Sequence, residues 1–117
     1  MNRNDRKFLE KMLSEIYYAT NKIKNIEEED FLKDEDMQRI IVMTLINIGE
    51  LAKKLSKALV NANPHIPFNK IVGLRNMSAH EYFALKFKTV WLTAKQSLPE
   101  LENDIRKILK VDQLSLI

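Results

Sequence analysis

Apolar residues recur at alternating steps of three and four along most of this chain, which places them on one face of an α-helix. The first such stripe predicts a helix over residues 5–26. With two glycines and three prolines in 117 residues, the chain also has too few turn formers for an all-β fold. The members of the stripe are Leu9, Met12, Ile16, Ala19, Ile23 and Ile26.

A second helix is predicted over residues 35–60, after a connection at 27–34. Asp34 is placed to cap its first turn. Gly49 and Glu50 interrupt its apolar pattern. Because glycine has no Cβ, we expect Gly49 to permit the close approach of another helix, and we expect Glu50 to orient a basic neighbour.

The second helix is apolar on more than one side between Ile40 and Ile48. A helix of this kind is central to its domain or packs against another subunit. In so short a chain, this breadth predicts a homodimer.

The C-terminal half predicts shorter helices. Residues 61–67 form a loop, and Pro67 suits the first turn of a third helix over 67–77. A turn over 79–85 and a fourth helix over 86–96 follow, and Ser97 with Glu100 is a possible capping box for a last helix that ends near 111. The predicted fold is all-α, an antiparallel bundle of four to five helices in a single domain over residues 1–117.

Composition excludes several classes of protein. With 45% hydrophobic and 30% charged residues, the chain is not of the disordered class. It has no cysteine, so a disulfide, a thiolate nucleophile and a zinc–cysteine site are excluded. We see no signal peptide in the polar first residues, and the apolar run at 40–48 is too short to span a bilayer, so we expect a cytoplasmic protein.

Charge is unevenly distributed along the chain. Residues 1–50 carry 8 Lys/Arg and 11 Asp/Glu, a net charge of −3, whereas residues 51–117 carry 11 and 5, a net charge of +6. The basic half favours a polyanionic partner such as RNA, although a solvated surface would look the same.

Polar residues that do not fit the bundle pattern cluster near the end of the third helix: Arg75, Asn76, Ser78, His80, Glu81 and Tyr82. RNA cleavage by its own 2′-hydroxyl needs a proton acceptor and a cation for the phosphoryl oxygens, and no metal. Histidine and arginine are suited to these roles. Arg75 and His80 are therefore a candidate pair, although each alone is more often a structural residue.

The spacing of this pair constrains the site. Five residues along a continuous helix rotate two positions to about 140° apart around its axis. Arg75 and His80 converge only if the helix breaks before His80, or if a two-fold axis brings a second copy of each to one cleft.

The stretch Arg75-Asn76-Met77-Ser78-Ala79-His80-Glu81-Tyr82 fits the pattern Arg-Asn-x-x-x-His-x-Tyr. The chain thereby resembles the HepT-like toxin group of HEPN-domain ribonucleases. Further landmarks of that group occur in the right order over nearly the whole chain: Asp30-Phe31-Leu32, Ile48-Gly49-Glu50, Ile66-Pro67-Phe68, Val90-Trp91 and Leu98-Pro99-Glu100-Leu101. Two positions depart from it, because Phe68 replaces a common tryptophan and Ser78 a large aliphatic residue.

The resemblance implies a homodimeric, metal-independent endoribonuclease without a cofactor, the toxin of a type VII toxin–antitoxin system. It implies that Arg75 and His80 are catalytic and that both subunits contribute them to one cleft. Asn76 would bind or orient the phosphate. Tyr82 would be the hydroxyl that a minimal nucleotidyltransferase antitoxin (MntA-like) adenylylates, which silences the toxin.

Two other functions are compatible with the same residues. The chain is alternatively a non-catalytic dimeric HEPN protein that binds or regulates a nucleotidyltransferase, with Tyr82 still the acceptor. It is also compatible with a purely structural dimerisation module.

Overall fold

The computed structural model describes residues 1–115, with side chains described for 1–76 and 81–112. This part of the chain is all-α, as predicted, and contains no β-strand. The elements, in chain order, are α1 (Arg3–Ile23), α2 (Glu28–Phe31), α3 (Glu35–Lys53), α4 (Lys57–Ala62), α5 (Phe68–His80), a 3₁₀ turn (Tyr82–Ala84), α6 (Phe87–Leu92), a π-helical segment (Thr93–Ser97) and α7 (Leu98–Ser115).

Helix α1 buries the stripe that its sequence predicted. Leu9, Met12 and Ile16 are fully buried, and α1 packs against α3 and α7. The helix ends at Ile23, three residues before the predicted end, and a turn follows. Ile26 is only partly buried, and its carbonyl accepts a hydrogen bond from the indole of Trp91 at 3.1 Å.

The prediction of one long second helix over residues 35–60 is wrong beyond residue 53. Asp34 caps α3 as expected, accepting from the backbone N–H of Met37 at 3.0 Å. However, α3 ends at Lys53, and Ser56 caps a separate short helix, α4. The cause lies far away in sequence: the buried carboxylate of Asp5 accepts from the Ser56 N–H at 2.8 Å and from its hydroxyl at 2.5 Å. This contact fixes the Ser56 backbone outside the helix.

Helix α5 is longer than predicted. It begins at Phe68, with Pro67 just before it, and continues to His80 rather than ending at Met77. In place of the predicted turn over 79–85 there is a shorter one, the 3₁₀ turn at Tyr82–Ala84. The N–H of Ala84 donates to the carbonyl of Glu81, and the N–H of Leu85 donates to that of Tyr82.

The two last predicted helices are one continuous helix with a π-helical segment inside. Leu92 and Leu98 both have helical backbone angles, and the N–H of Leu98 donates five residues back to Thr93. Ser97 therefore lies within the helix, so the predicted capping box with Glu100 is wrong. Pro99 is the physical reason, because a proline lacks an N–H and clashes with the carbonyl four residues earlier. The wider turn relieves both effects.

The π segment also keeps one face on the core. Val90, Ala94 and Leu98 are all buried, at steps of four residues. In a regular α-helix, the eight residues from Val90 to Leu98 would rotate the second side chain about 80° away from the first.

The core takes up most of the apolar breadth of α3. Ile41, Val42, Leu45 and Ile48 are buried in it. Met43 remains 57% exposed. The homodimer predicted from this apolar breadth therefore stays a prediction. Met43 is the side chain of this stretch that still exposes a large apolar surface to solvent.

None of the helices in the described residues combines the length and the apolar character needed to cross a bilayer.

Replacing Asp5 tests the contact that joins α1 to Ser56, between α3 and α4. We expect Asp5→Ala to lower the free energy of unfolding by about 3 kcal/mol, because it leaves the partly buried Ser56 N–H without its partner and removes a charged acceptor. Ser56→Ala should cost only about 1–2 kcal/mol, because the bond from its N–H to Asp5 survives. Urea unfolding followed by circular dichroism measures both. Equal losses in the two variants would contradict this account.

Candidate functional site

The site lies where α5 crosses α3 at a glycine, so that α3 presents no side chain at the crossing point. Gly49 of α3 is buried. A Cβ added to it would overlap the Cβ of Arg75 and lie 3.0 Å from its Cγ and 3.1 Å from the carbonyl oxygen of Ile71. The expectation that Gly49 permits close helix approach is therefore confirmed, and the helix it admits is the one that carries Arg75.

Glu50 holds the guanidinium of Arg75 from one side. The Nε of Arg75 and the Oε1 of Glu50 form an ion pair, and both atoms are buried without another hydrogen-bond partner among the described residues. The side chains keep 25% and 38% of their surface exposed, respectively. The prediction that Glu50 orients a basic neighbour is confirmed.

Asn76 occupies another edge of the same guanidinium. Nη1 of Arg75 donates to Oδ1 of Asn76 at 2.8 Å, at the exposed surface. A guanidinium has five N–H groups, and in the described part of the chain no residue takes up the other three. Arg75 is thus fixed at Nε and still presents donors to solvent, which is the arrangement that binds a phosphate.

Tyr82 lies on the 3₁₀ turn that follows α5, next to the N-terminal part of α3. The guanidinium of Arg39, on α3, sits over its ring at 5.3 Å from the centroid, and the Phe87 ring lies at 5.7 Å. Because position 39 faces 82 and position 49 faces 75, α3 and α5 run antiparallel. Sequence reasoning missed Arg39, because no local pattern gives the register of two helices.

The side chains of Ser78 and His80 lie outside the described residues. The backbone of α5, however, continues unbroken from Phe68 to His80. Two arrangements could bring Arg75 and His80 into one site. The first, a break in the helix before His80, is therefore wrong. Their convergence requires a second copy of the helix.

Comparison with known proteins gives a consistent family. The family model described as Ribonuclease HepT-like matches residues 9–108. A Methanocaldococcus jannaschii protein named "Putative RNase MJ1216" is 36% identical over 92% of this chain and 89% of its own length. One from Caldanaerobacter subterraneus subsp. tengcongensis, named "Putative RNase TTE0752", is 33% identical over 95% and 99%.

A more distant relative, from Thermococcus cleftensis, is named "Probable ribonuclease HepT" and is 28% identical over 94% of this chain and all of its own length. No solved structure matches the chain significantly.

The two glycines offer a matched test of the helix crossing. We expect Gly49→Ala to destabilise the fold by about 1–3 kcal/mol, because the new methyl group forces α5 away from α3. Gly73→Ala, on an exposed side of α5 with nothing within 4 Å of the added Cβ, should instead stabilise by about 0.5–1 kcal/mol through helix propensity. Thermal and urea unfolding measure both. A Gly49 variant as stable as the wild type would contradict the proposed constraint.

Proposed function

This chain belongs to the ribonuclease HepT-like family, and from that membership we propose that it is a metal-independent endoribonuclease that acts as a toxin. The observation that carries the proposal is the Arg75 guanidinium, fixed at Nε by Glu50 and at Nη1 by Asn76, with its other donors directed to no described residue. Such a guanidinium stabilises the charge that develops on phosphoryl oxygens during cleavage.

The reaction uses the nucleophile that RNA itself supplies. The imidazole of His80 takes the proton from a 2′-hydroxyl, whose oxygen attacks the adjacent phosphorus. The bond to the 5′-oxygen breaks, and the proton that the imidazole took passes to this leaving oxygen, so that one product ends in a 2′,3′-cyclic phosphate and the other in a 5′-hydroxyl. Arg75 binds the non-bridging oxygens, and Asn76 orients its guanidinium.

The cleft is shared between two protomers in this proposal. Positions 75 and 80 lie about 140° apart around the axis of the unbroken α5 helix. Arg75 of one protomer therefore acts with the histidine at position 80 of the other, and a homodimer is the active form. The exposed Met43 supplies apolar surface on the neighbouring helix.

Control of the toxin rests on Tyr82. A minimal nucleotidyltransferase antitoxin transfers AMP to its hydroxyl in this proposal, so that a phosphodiester joins the phenol oxygen to the nucleoside. The added negative charge and bulk oppose the binding of a polyanion in the nearby cleft. Tyr82 is partly exposed on its short 3₁₀ turn, which supports its role as an acceptor.

Mixed dimers test the shared cleft. We expect Arg75→Ala and His80→Ala each to abolish cleavage of RNA in the presence of a chelator. Equal amounts of the two variants, unfolded and refolded together, should recover about a quarter of the wild-type activity. Half of the dimers are then mixed, and each mixed dimer has one site with both residues and one site with neither. Gel analysis of RNA fragments with cyclic-phosphate ends gives the readout, and light scattering verifies the dimer.

Cleavage that survives both single substitutions would refute the catalytic roles. Activity absent from the mixture would refute the sharing of the site between protomers, provided that the mixed species is dimeric.

Replacing the Tyr82 hydroxyl tests the silencing step. We expect the chain co-expressed with a minimal nucleotidyltransferase antitoxin of the proposed kind to gain the mass of AMP and to lose cleavage. Tyr82→Phe, which keeps the ring that Arg39 and Phe87 contact, should gain no mass and remain active. Intact-mass spectrometry measures the modification. A wild-type chain that is modified but cuts no RNA in its unmodified form would instead favour the non-catalytic partner of a nucleotidyltransferase.

A further inference from the structure

Phe83 is the most exposed large hydrophobic side chain of the described residues. It lies on the 3₁₀ turn directly after α5 and leaves 92% of its surface in solvent. Full burial of a phenylalanine contributes about 1.5–3 kcal/mol, so this side chain contributes almost nothing of that kind to folding. Its position beside the cleavage motif calls for a separate explanation.

Phe83 is part of an aromatic surface with a cation at its edge. Its ring meets Tyr82 edge to face, at 5.4 Å between centroids and an interplanar angle of 90°. Tyr82 in turn contacts Phe87 at 5.7 Å and Arg39 at 5.3 Å. We name these four residues the aromatic platform.

The stretch that carries the aromatic residues of the platform is more basic than acidic. Within residues 81–88, Lys86 and Lys88 are exposed, against the one exposed acid Glu81, and Lys88 lies 4.0 Å from Glu28 of α2. Arg39 is also exposed. Aromatic faces among cations are what single-stranded nucleic acid binds, through base stacking and phosphate contacts.

We propose that the aromatic platform binds a single-stranded segment of RNA next to the scissile bond, with an unpaired base stacked on Phe83 and a phosphate held by Arg39. The inference rests on the proposed ribonuclease function and defines its substrate class. In a duplex the bases are stacked on one another and cannot be inserted against a protein ring without being splayed out. The substrate is therefore RNA in a loop, a bulge or an unpaired end.

The platform lies within reach of the same strand. The helix rise from residue 75 to 80 and a fully extended chain from 80 to 83 place Phe83 no more than about 18 Å from Arg75. A short stretch of single-stranded RNA covers that distance. The base on Phe83 thus belongs to a nucleotide close to the one that is cut.

Binding without cleavage tests the platform. The probe is a short, fluorescein-labelled 2′-O-methyl oligoribonucleotide, whose blocked 2′-oxygens cannot attack. We expect Phe83→Ala to weaken its binding to the dimer by roughly 5- to 150-fold in fluorescence anisotropy, the range found for loss of one stacked base. Phe83→Leu, apolar but without a π-face, should be nearly as weak, whereas Phe83→Trp should bind as well as the wild type.

The control variant is Tyr17→Ala, which removes another exposed aromatic side chain, 66% open on α1, and should leave binding unchanged. The same probe annealed to its complement should bind more weakly than the single strand. Wild-type protein that does not bind the single strand, or binds the duplex equally well, overturns the proposal. So does a Phe83→Ala variant that binds normally or has changed its oligomeric state, because the platform is then a protein contact.

Arg39 provides an independent readout. Removing one phosphate contact to a single strand should reduce the slope of log binding constant against log salt concentration by about 0.7. Arg39→Ala should show this change and Tyr17→Ala should not; an unchanged slope in Arg39→Ala overturns the phosphate contact. Because these measurements use an uncleavable probe, failure of the platform remains distinct from failure of the ribonuclease proposal, which unmodified RNA tests.

Discussion

The absence of one side chain, at Gly49, sets the geometry on which the rest of the site depends. It lets the backbone of α5 come so close to α3 that the Cβ of Arg75 fills the space a Gly49 side chain would need. Two further contacts between the elements follow from that approach. Glu50, the next residue of α3, reaches the Nε of Arg75, and Arg39, about 16 Å earlier along the helix, meets the ring of Tyr82.

The Arg75–Glu50 pair serves orientation more than attraction. A carboxylate beside a guanidinium cancels much of its charge, so this pair adds little long-range pull on a polyanion. The pull must come from the excess of six positive charges in residues 51–117. Pinning Nε instead reduces the conformational freedom that a flexible arginine would lose on binding phosphate. The donors on the two Nη atoms are then presented in a defined plane.

Local patterns in the sequence predicted the helical fold class and part of the site. The stripe of α1 and the cap at Asp34 depend on residues close together in the chain. Gly49 and Glu50 stood out within the pattern of their own helix, although their partner, Arg75, lies on α5. The contacts that corrected the prediction join distant residues. Asp5 ends α3 through Ser56, 51 positions away, and Arg39 meets Tyr82 across two helices. Such pairings require the register of the packed helices, which periodicity alone does not provide.

The π-helical segment before Pro99 means that this helix contains one residue more than regular winding needs. Removing a residue from the middle of an ordinary helix swings everything beyond it by about 100° relative to the core. Here a deletion at the exposed Gln96, combined with replacement of Pro99 by a residue that has an N–H, would let the segment wind as an α-helix and return Val90 and Leu98 to within about 20° of each other. The chain can thus shorten at this point while both ends of its longest helix stay seated, a tolerance that few helix interiors possess.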